Sequence, residues 1–255
     1  MKIATWNVNS LRVRLPHVLD WLGREQPDVL ALQETKTEDA NFPADELAKA
    51  GYQAVFSGQK TYNGVAVLSR VPATDSVTDI DGLDDPQRRI LAVTVEGCRI
   101  VDLYVPNGSE VGSEKYSYKL DWLTRVREWL AAEMATNPHL VVLGDFNIAP
   151  ADDDVYDPEA WRGKILCSTP EREAFQSLLG LGLSDTFRQF EQAERSYTWW
   201  DYRMNGFRRN LGLRIDHILA SPALAGVCSG CRVDVAPRRL ERPSDHAPVV
   251  AEFTV

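Results

Sequence analysis

Short apolar runs recur along the chain and predict strands. Runs of this kind, rich in β-branched residues and bounded by polar residues or glycine, are typical of buried strands. They lie at residues 3–6, 29–33, 64–68, 90–95, 100–105, 140–143, 214–219 and 249–253. The fourth and fifth runs are joined by a short segment that contains Glu96 and Gly97. Antiparallel pairing is therefore favoured, since parallel neighbours need a long crossover connection.

Two longer segments have the pattern of amphipathic helices. Their apolar residues repeat at a period close to 3.6, which places them on one helix face. The two faces consist of Leu11, Leu15, Val18, Leu19 and Leu22, and of Leu120, Leu123, Val126, Leu130 and Met134. Many strands and few helices predict an α/β protein of two packed, mainly antiparallel sheets with helices outside, in preference to a doubly wound parallel sheet.

Several of the apolar runs end abruptly in a carboxylate, an amide or an imidazole, which packing alone does not explain. The first run, for example, is followed by Asn7 and Asn9, and the second by Glu34. If the strand ends converge, they form one pocket whose polar side chains are Asn7, Glu34, Asp145, Asn147, Asp216, Asp245 and His246. A cluster of carboxylates repels itself unless a cation is present.

The chemistry of this set of side chains is that of a hard metal site. Carboxylate and amide oxygens without a thiolate suit Mg²⁺ or Mn²⁺, and Mg²⁺ takes only one or two protein carboxylates, so Glu34 is predicted as a direct ligand. His246 can bond a carboxylate through one ring nitrogen while the other faces a phosphate, and Asp145 can orient or deprotonate a water. The combination predicts metal-assisted phosphoester hydrolysis.

Each of these residues taken alone has a simpler interpretation. A single aspartate after a strand is usually a turn or helix cap, which is the expectation for an isolated Asp145. His17 and His139 are interpreted as structural or solvated, and His217, beside Asp216, is left open between a structural and a functional role. The prediction of phosphoester hydrolysis therefore depends on the whole set of polar residues in its order along the chain, and not on any single residue.

Composition narrows the class of protein. The chain has 255 residues, 44% hydrophobic and 25% charged, which is typical of a globular protein, and one domain over residues 1–255 is expected. A net charge of −9 argues against bulk binding to nucleic acid but allows a local basic face. Cys228 and Cys231 form a C-x-x-C without the second ligand pair that a zinc site needs. With neither a signal peptide nor an apolar run of membrane-spanning length, a cytoplasmic protein with reduced thiols is expected.

Six segments stand in the order found in the exonuclease III family of apurinic/apyrimidinic (AP) endonucleases. They are Thr5-Trp6-Asn7-Val8-Asn9, Leu32-Gln33-Glu34-Thr35-Lys36, Tyr104-Val105-Pro106-Asn107-Gly108, Gly144-Asp145-Phe146-Asn147-Ile148-Ala149-Pro150, Leu213-Arg214-Ile215-Asp216-His217 and Ser244-Asp245-His246-Ala247-Pro248. The chain resembles that family from Lys2 to Val255. Leu32–Lys36 and Tyr104–Gly108, together with the segment Trp199 to Arg203, resemble its DNA-repair branch in particular.

The resemblance implies a four-layered α/β sandwich that cleaves DNA on the 5′ side of abasic sites with a divalent metal and leaves a 3′-hydroxyl. It implies Mg²⁺, with Mn²⁺ as a substitute, held by or near Glu34, Asn7, Asp145, Asn147 and Asp245. It further implies that Asp145 positions the attacking water with Asn147, that Tyr104 touches the phosphate, and that His246, supported by Asp216, binds the scissile phosphate.

Substrate recognition is also implied by the resemblance. Trp199, Leu213 and Ile215 match an apolar pocket for a flipped-out abasic sugar, which would exclude an intact nucleotide by its size. Phosphate contacts are expected from a locally basic segment and from residues near the site. These are Lys36, Asn107, Arg203, Arg208, Arg209, Asn210 and Arg214, and Lys115 and Lys119 are expected to extend the track.

Three other functions are compared with this one. A 3′-to-5′ exonuclease or 3′-phosphatase would act from the same site. A phosphatase for inositol phosphates or sphingolipid would keep Glu34, Asp145 and His246 but should lack the tryptophan and arginine segment at 199–214. A non-enzymatic binder of damaged DNA would have no use for the catalytic set. The expected partner is duplex DNA with abasic sites. The protein is expected to be a monomer that does not bind a membrane and needs no protein partner.

Overall fold

The computed structural model describes residues 1–83 and 85–254, so Asp84 and Val255 lie outside the described residues. The strands are β1 (Lys2–Asn7), β2 (Val29–Gln33), β3 (Gln53–Ser57), β4 (Val65–Ser69), β5 (Thr74–Val77), β6 (Ile90–Val95), β7 (Cys98–Tyr104), β8 (Leu140–Asp145), β9 (Ser184–Asp185), β10 (Trp199–Trp200), β11 (Gly212–Leu213), β12 (Asp216–Ala220), β13 (Cys228–Val233) and β14 (Val249–Phe253). The helices are α1 (Leu11–Glu25), α2 (Ala44–Lys49), α3 (Glu114–Thr136), α4 (Pro158–Trp161), α5 (Thr169–Leu179) and α6 (Pro222–Ala225).

The long strands form two six-stranded sheets. One has the order β13-β14-β1-β2-β4-β3 and the other the order β5-β6-β7-β8-β12-β9, while β10 and β11 form a separate two-stranded sheet. Within the six-stranded sheets, pairing is antiparallel except for the parallel pairs β1–β2 and β7–β8. Two mainly antiparallel sheets with helices outside were predicted, and this prediction is confirmed.

The core is divided into layers. Inward-facing residues of both sheets, such as Ile3 and Val141, share one buried cluster. The outer face of the first sheet packs on α1, where Val18 and Leu22 are buried, and the outer face of the second packs on α3 and α5, where Val126 and Leu178 are buried. The result is the four-layered sandwich that the family resemblance implied.

The sequence pattern identified the central strands and missed the edges. Strands β3, β5 and β13 were not predicted, and all three are edge strands with exposed positions. An edge strand presents one side to solvent, so its sequence lacks the continuous apolar run of a buried strand. Among the described residues, no helix has the length and hydropathy to cross a bilayer.

Six strands bring their polar residues to the same end of the sandwich. Strands β1, β2, β7 and β8 end there, while β12 and β14 begin there because they run antiparallel to β8 and β1. The register places Asp216 opposite Asp145, and Tyr104 pairs with Asp145 from the other side. Convergence of the strand ends was predicted, and the structure has it.

Candidate active site

A buried histidine between two aspartates forms the centre of the site. His246 Nδ1 donates to Asp216 Oδ2 at 2.9 Å, and His246 Nε2 lies 3.8 Å from Asp145 Oδ2. All three residues are at most 4% exposed. Asp216 therefore fixes the orientation of the imidazole and leaves Nε2 directed into the site.

Asn7 joins the two sheets at this point. Its Nδ2 donates to Glu34 Oε1 at 2.8 Å and to Asp145 Oδ2 at 2.9 Å, so a single amide bridges carboxylates from β8 and from the residue after β2. Glu34 has a φ of 51°, a left-handed conformation that turns its side chain out of the strand direction. Lys36 Nζ lies 3.0 Å from Glu34 Oε2 and supplies a partly exposed positive charge.

The amides of Asn147 and Asn107 form a chain of hydrogen bonds beside Asp145. The Asn147 backbone N–H donates to Asp145 Oδ1 at 2.9 Å, and Asn147 Nδ2 donates to the Val105 carbonyl at 3.0 Å. Asn107 Nδ2 in turn donates to Asn147 Oδ1 at 3.2 Å. Asn147 is held at a φ of 49°, so the turn after β8 is shaped around its side chain.

Tyr104 lies next to Glu34 and Asp145 in the site. Burial, followed by the charges of Glu34 and Asp145, raises the pKa of Tyr104 well above its usual range, so the phenol stays neutral and can donate a hydrogen bond. Arg89 stacks on its ring, with the guanidinium carbon 4.6 Å from the ring centroid, and donates to the Tyr104 carbonyl at 3.1 Å. The sequence analysis missed Arg89, because its link to Tyr104 comes from β6–β7 pairing.

The charges shift the pKa values of the central pair in the same direction. Burial, with the charges of Asp216 and Glu34, raises the pKa of Asp145 to about 7. Burial alone would lower the pKa of His246, but the carboxylates of Asp216, Asp145 and Asp245 raise it to about 10. Burial is the largest cause of the shift of Asp145, and the surrounding carboxylates cause the shift of His246; the buried negative charge that contributes to both favours the binding of a cation.

Three side chains can hold a metal ion together. Glu34, Asp145 and His246 each offer a ligand atom, and these atoms lie within 4.8 Å of one another. The set contains no thiolate, and two of its three donors are carboxylates, as the hard cations Mg²⁺ and Mn²⁺ prefer. Glu34 and Asp145 were predicted as ligands, and the structure brings them together.

The other three predicted ligands have different partners in the structure. Asn7 presents its amide nitrogen to the carboxylates, while its oxygen accepts from the Asn9 backbone N–H. Asn147 uses its oxygen for Asn107. Asp245 accepts from Asn9 Nδ2 and from the Trp199 indole, both at 3.0 Å. These three side chains make hydrogen bonds around the group of Glu34, Asp145 and His246, and their role as metal ligands stays a prediction.

The predicted sugar pocket is an apolar cluster beside the site. Trp199 pairs with Leu213 across β10–β11, its backbone forms a bridge with His246, and its indole donates to Asp245. Leu213 and Ile215 are 0% and 1% exposed. Leu166, 5% exposed, belongs to the same cluster and has a φ of 70°, which is strained for a leucine. The chain's own side chains thus cover Leu213 and Ile215.

Most of the predicted phosphate contacts lie on the surface. Asn107, Arg203, Arg208 and Arg209 are exposed, and Lys36 is partly exposed beside Glu34. Asn210 is half-buried and accepts from the Trp200 indole at 3.0 Å. Tyr62 and Met204, 67% and 74% exposed, are large apolar side chains on the surface that the sequence analysis did not single out.

Arg214 was predicted to contact DNA, and the structure contradicts this prediction. It is 1% exposed, and its guanidinium donates to Asp154 at 2.6 Å and to Asp185 at 2.8 Å, so it is not available to a phosphate. His217, left open above, belongs to this network, with Nδ1 3.0 Å from the Arg214 guanidinium and Nε2 2.9 Å from the Ile148 carbonyl. Positive charge in the sequence did not distinguish a buried arginine from an exposed one.

Lys119 is the second predicted DNA contact that the structure contradicts. It was expected to extend the basic track, but it is 0% exposed and pairs with the equally buried Glu171. A local signal for Glu171 was present, because Ser168 and Glu171 have the spacing of a capping box, and they form one at the start of α5. Lys115 is exposed, as expected for the track.

Comparisons with known proteins agree with this geometry. Residues 4–246 match the model of the endonuclease/exonuclease/phosphatase family. The chain is 36% identical to the exodeoxyribonuclease III of Haemophilus influenzae, over 99% of this chain and 100% of that protein. It is 53% identical to the 3′ phosphatase NExo from Neisseria, solved with a product DNA hairpin, with a TM-score of 0.98 and full coverage of both chains. It is 41% identical to an AP endonuclease from Archaeoglobus fulgidus, with a TM-score of 0.96 and full coverage of both chains.

Proposed function

We propose, from the premise that this chain belongs to the endonuclease/exonuclease/phosphatase family, that it is a DNA-repair nuclease that hydrolyses the phosphodiester 5′ of abasic sites. The product would carry a 3′-hydroxyl, and some 3′-to-5′ exonuclease and 3′-end-cleaning activity would accompany the incision. The observation that carries the proposal is the cluster of Glu34, Asp145, Asp216 and His246 with Trp199 bridged to His246. The DNA-acting relatives described above support it.

The residues divide the reaction among them. Asp145 accepts the proton of the attacking water, whose oxygen forms the new bond to phosphorus as the bond to the 3′ oxygen breaks. The departing 3′ oxygen takes a proton from solvent to give the 3′-hydroxyl. His246 Nε2–H and the neutral Tyr104 hydroxyl donate to phosphate oxygens as negative charge develops there. Asp216 holds the imidazole, and Asn147 holds the carboxylate of Asp145.

A divalent cation completes this account. We assign Mg²⁺, with Mn²⁺ as a substitute, to Glu34 and Asp145, because these carboxylates and His246 offer ligand atoms within 4.8 Å of one another. When bound, the cation supplies a Lewis acid for the charge on the phosphate. It would also balance the buried negative charge that raises the pKa values of Asp145 and His246.

DNA would be held by a small basic face on an acidic protein. The net charge of −9 argues against non-specific attraction over the whole surface, so exposed Arg203, Arg208 and Arg209 carry the phosphate contacts in this proposal. Exposed Tyr62 and Met204 are suited to pack against unstacked bases, as apolar wedges do in other DNA-bending proteins. The cytoplasmic location, the monomeric state and the lack of an obligatory protein partner stay predictions.

A second candidate function is removal of 3′ phosphates or nucleotides from DNA ends. The observation that favours it is the covered pocket, because Leu213 and Ile215 have almost no exposed surface and Leu166 packs in the same cluster. An internal abasic sugar needs that space, whereas a 3′-terminal phosphate needs only the polar cluster. The similarity to the Neisseria 3′ phosphatase supports the same candidate.

One gel experiment separates the two. The purified protein is incubated in Mg²⁺ and in EDTA with a duplex carrying one internal abasic-site analogue, with a recessed duplex ending in a 3′ phosphate, and with an undamaged recessed duplex. A single Mg²⁺-dependent product ending 5′ of the lesion supports the abasic incision. Rapid loss of the 3′ phosphate or a ladder from the 3′ end, with little incision, supports the second candidate. Cleavage of none of the three would overturn both.

Leu166→Gly tests the role of the covered pocket in the same assay. Glycine adopts a φ of 70° without strain, so the variant is not expected to lose stability from its backbone. If Leu166 obstructs the pocket, the ratio of abasic incision to 3′-phosphate removal rises about tenfold. An unchanged ratio would show that the pocket is not limiting.

A further inference from the structure

A buried lysine lies directly behind the two amides of the site. Lys119, on α3, is 0% exposed, and its ammonium donates to the Asn147 carbonyl at 2.7 Å and to the Asn107 carbonyl at 3.2 Å. Its third partner is the carboxylate of Glu171. An ammonium has three donors, and two of them bond the backbones of Asn147, which contacts Asp145, and Asn107, whose amide donates to Asn147.

Glu171 continues the network towards the apolar cluster. Its Oε1 accepts from the Leu166 backbone N–H at 3.0 Å, and its Oε2 accepts from the Ser168 backbone N–H at 3.1 Å and the Ser168 hydroxyl at 2.6 Å. Glu171 is 0% exposed as well. The segment that carries Leu166 is therefore tied through one carboxylate to the ammonium that holds Asn107 and Asn147.

The contacts around the lysine are tight. Gly108, at a φ of 88°, lies so close that a Cβ there would be 3.0 Å from Lys119 Cδ and 3.0 Å from Ile165 Cδ1. The loop after β7 is thus closed over the lysine stem, and the Asn107 carbonyl has little room to move. Close packing of this kind transmits small displacements instead of absorbing them.

The ion pair between Arg99 on β7 and the half-buried Glu133 on α3 shows that an ion pair made by α3 need not touch the site. Arg99 Nε donates to Glu133 Oε2 at 2.7 Å at the other end of the strand and the helix. Its remaining contacts are the Asp75 carbonyl and the Thr94 hydroxyl. Arg99–Glu133 therefore joins strand to helix without reaching a residue of the active site, whereas Lys119–Glu171 holds two of its loops.

We propose that the Lys119–Glu171 pair is a positioning element that sets the amides of Asn107 and Asn147 against Asp145 and couples them to the Leu166 wall of the apolar cluster. The pair contacts neither the phosphate nor the ion-holding side chains, so it acts through the loops that it holds. The inference rests on the proposed function only in assuming that Asp145 acts on a DNA phosphate, which both candidate functions share.

The test uses the double variant Lys119→Met/Glu171→Gln, which removes both charges and so leaves no unpaired buried ion. We expect kcat for the better of the abasic and 3′-phosphate substrates to fall about 10- to 100-fold with KM changed less than threefold, because a displacement of about 1 Å at a reacting group has an effect of this size. The matched control is Arg99→Met/Glu133→Gln, for which kcat stays within about threefold of wild type.

Hydrogen exchange supplies a readout that does not depend on activity. Amide exchange in peptides covering residues 145–149 and 164–168 should accelerate at least about tenfold in Lys119→Met/Glu171→Gln and remain unchanged in the control. Wild-type exchange in both peptides together with wild-type kcat would overturn the inference. A loss of kcat that merely follows the unfolded fraction, measured by circular dichroism, would also overturn it.

Glu171→Gln alone is the second variant if the double variant does not fold; it leaves the Lys119 ammonium buried without its counter-charge, so its folding is checked by circular dichroism before kcat is measured. It keeps a carbonyl oxygen for Lys119, and we expect a 3- to 10-fold fall in kcat with faster exchange at residues 164–168. A kcat equal to wild type in a folded Glu171→Gln would contradict the proposal. Failure of the proposed function is distinguishable, because it would appear as an inactive wild-type protein, while the exchange result would still decide the positioning role.

Discussion

Two histidine and carboxylate clusters lie on opposite faces of β12 and differ in one component. Asp216 and His217 are neighbours on the strand, so their side chains point to opposite sides. On one side, His246 lies between the carboxylates of Asp216 and Asp145. On the other side, His217 lies beside Arg214, which is itself bonded to Asp154 and Asp185.

The difference is whether the cluster contains a buried arginine, whose guanidinium is a permanent cation. Arg214, together with Arg188 beside Asp154, balances the charges of Asp154 and Asp185. Burial, followed by the charge of Arg214, lowers the pKa of His217 to about 4. In the catalytic cluster, the aspartates outweigh burial and raise the pKa of His246 to about 10. We infer that the cluster with a permanent, buried guanidinium is structural, and that the cluster whose carboxylates outnumber its positive charges, His246 and the partly exposed Lys36, is suited to a metal ion.

The largest effect is expected from replacing the charged members of the catalytic cluster. Asp145→Asn or His246→Asn should lower kcat by roughly 10² to 10⁴ while DNA binding is largely retained, because general acid–base groups contribute on this scale. Single-turnover cleavage measures the change. His217→Asn is the control from the other face, and a loss for Asp145→Asn of less than about tenfold would remove Asp145 from its assigned role.

The next largest effect is on stability, from the structural cluster. Arg214→Met leaves Asp154 and Asp185 buried without their shared cation, and we expect the free energy of unfolding to fall by about 3–5 kcal/mol. Urea unfolding followed by circular dichroism measures it. Arg209→Met, on the surface, should change stability by less than about 0.5 kcal/mol. If the two variants were equally stable, the buried network would not have the role assigned to it.

A smaller, pH-dependent effect distinguishes the two histidines. The folded-state pKa of His217 lies below its unfolded value, so its contribution to stability is present above about pH 6.5 and is lost as the pH falls to about 4. Between pH 7 and pH 5 wild type should lose about 2 kcal/mol more than His217→Asn. Urea unfolding of both proteins at the two pH values gives this difference, and parallel losses would contradict the neutral, buried state of His217.

The smallest effect is expected at the rim of the catalytic cluster. Trp199→Ala should lower kcat/KM on the preferred DNA substrate about tenfold, or about 1.4 kcal/mol, because the indole that bonds Asp245 is lost. Its neighbour Trp200, 2% exposed, points to the opposite side, and Trp200→Ala should instead destabilise the fold by about 3–5 kcal/mol. Equal kinetics for wild type and Trp199→Ala would place Trp199 outside the site.

The catalytic cluster could be predicted from the sequence because its residues follow buried strands. An apolar run that ends in Asn7, Glu34 or Asp145 indicates both a strand and the place where its side chain emerges. The apolar runs also predicted the two-sheet sandwich, because the central strands carry strong runs. They did not predict the edge strands β5 and β13, which are partly exposed.

The roles of the buried cations could not be predicted in this way. Arg214 and Lys119 look like surface charges, and their partners Asp154 and Glu171 lie 60 and 52 residues away along the chain. Burial of a charge depends on whether distant segments supply an opposite charge, and this is decided by tertiary packing.

The most direct test of the account is a Mn²⁺ titration of the wild-type protein and of Glu34→Gln, with free Mn²⁺ followed by electron paramagnetic resonance and Mg²⁺ used as the competitor. The account predicts that wild type binds Mn²⁺ at the Glu34–Asp145 site, that Mg²⁺ displaces it, and that Glu34→Gln weakens binding at least about tenfold. Equal binding by the two proteins would contradict the claim that the catalytic cluster is the one prepared for a metal ion.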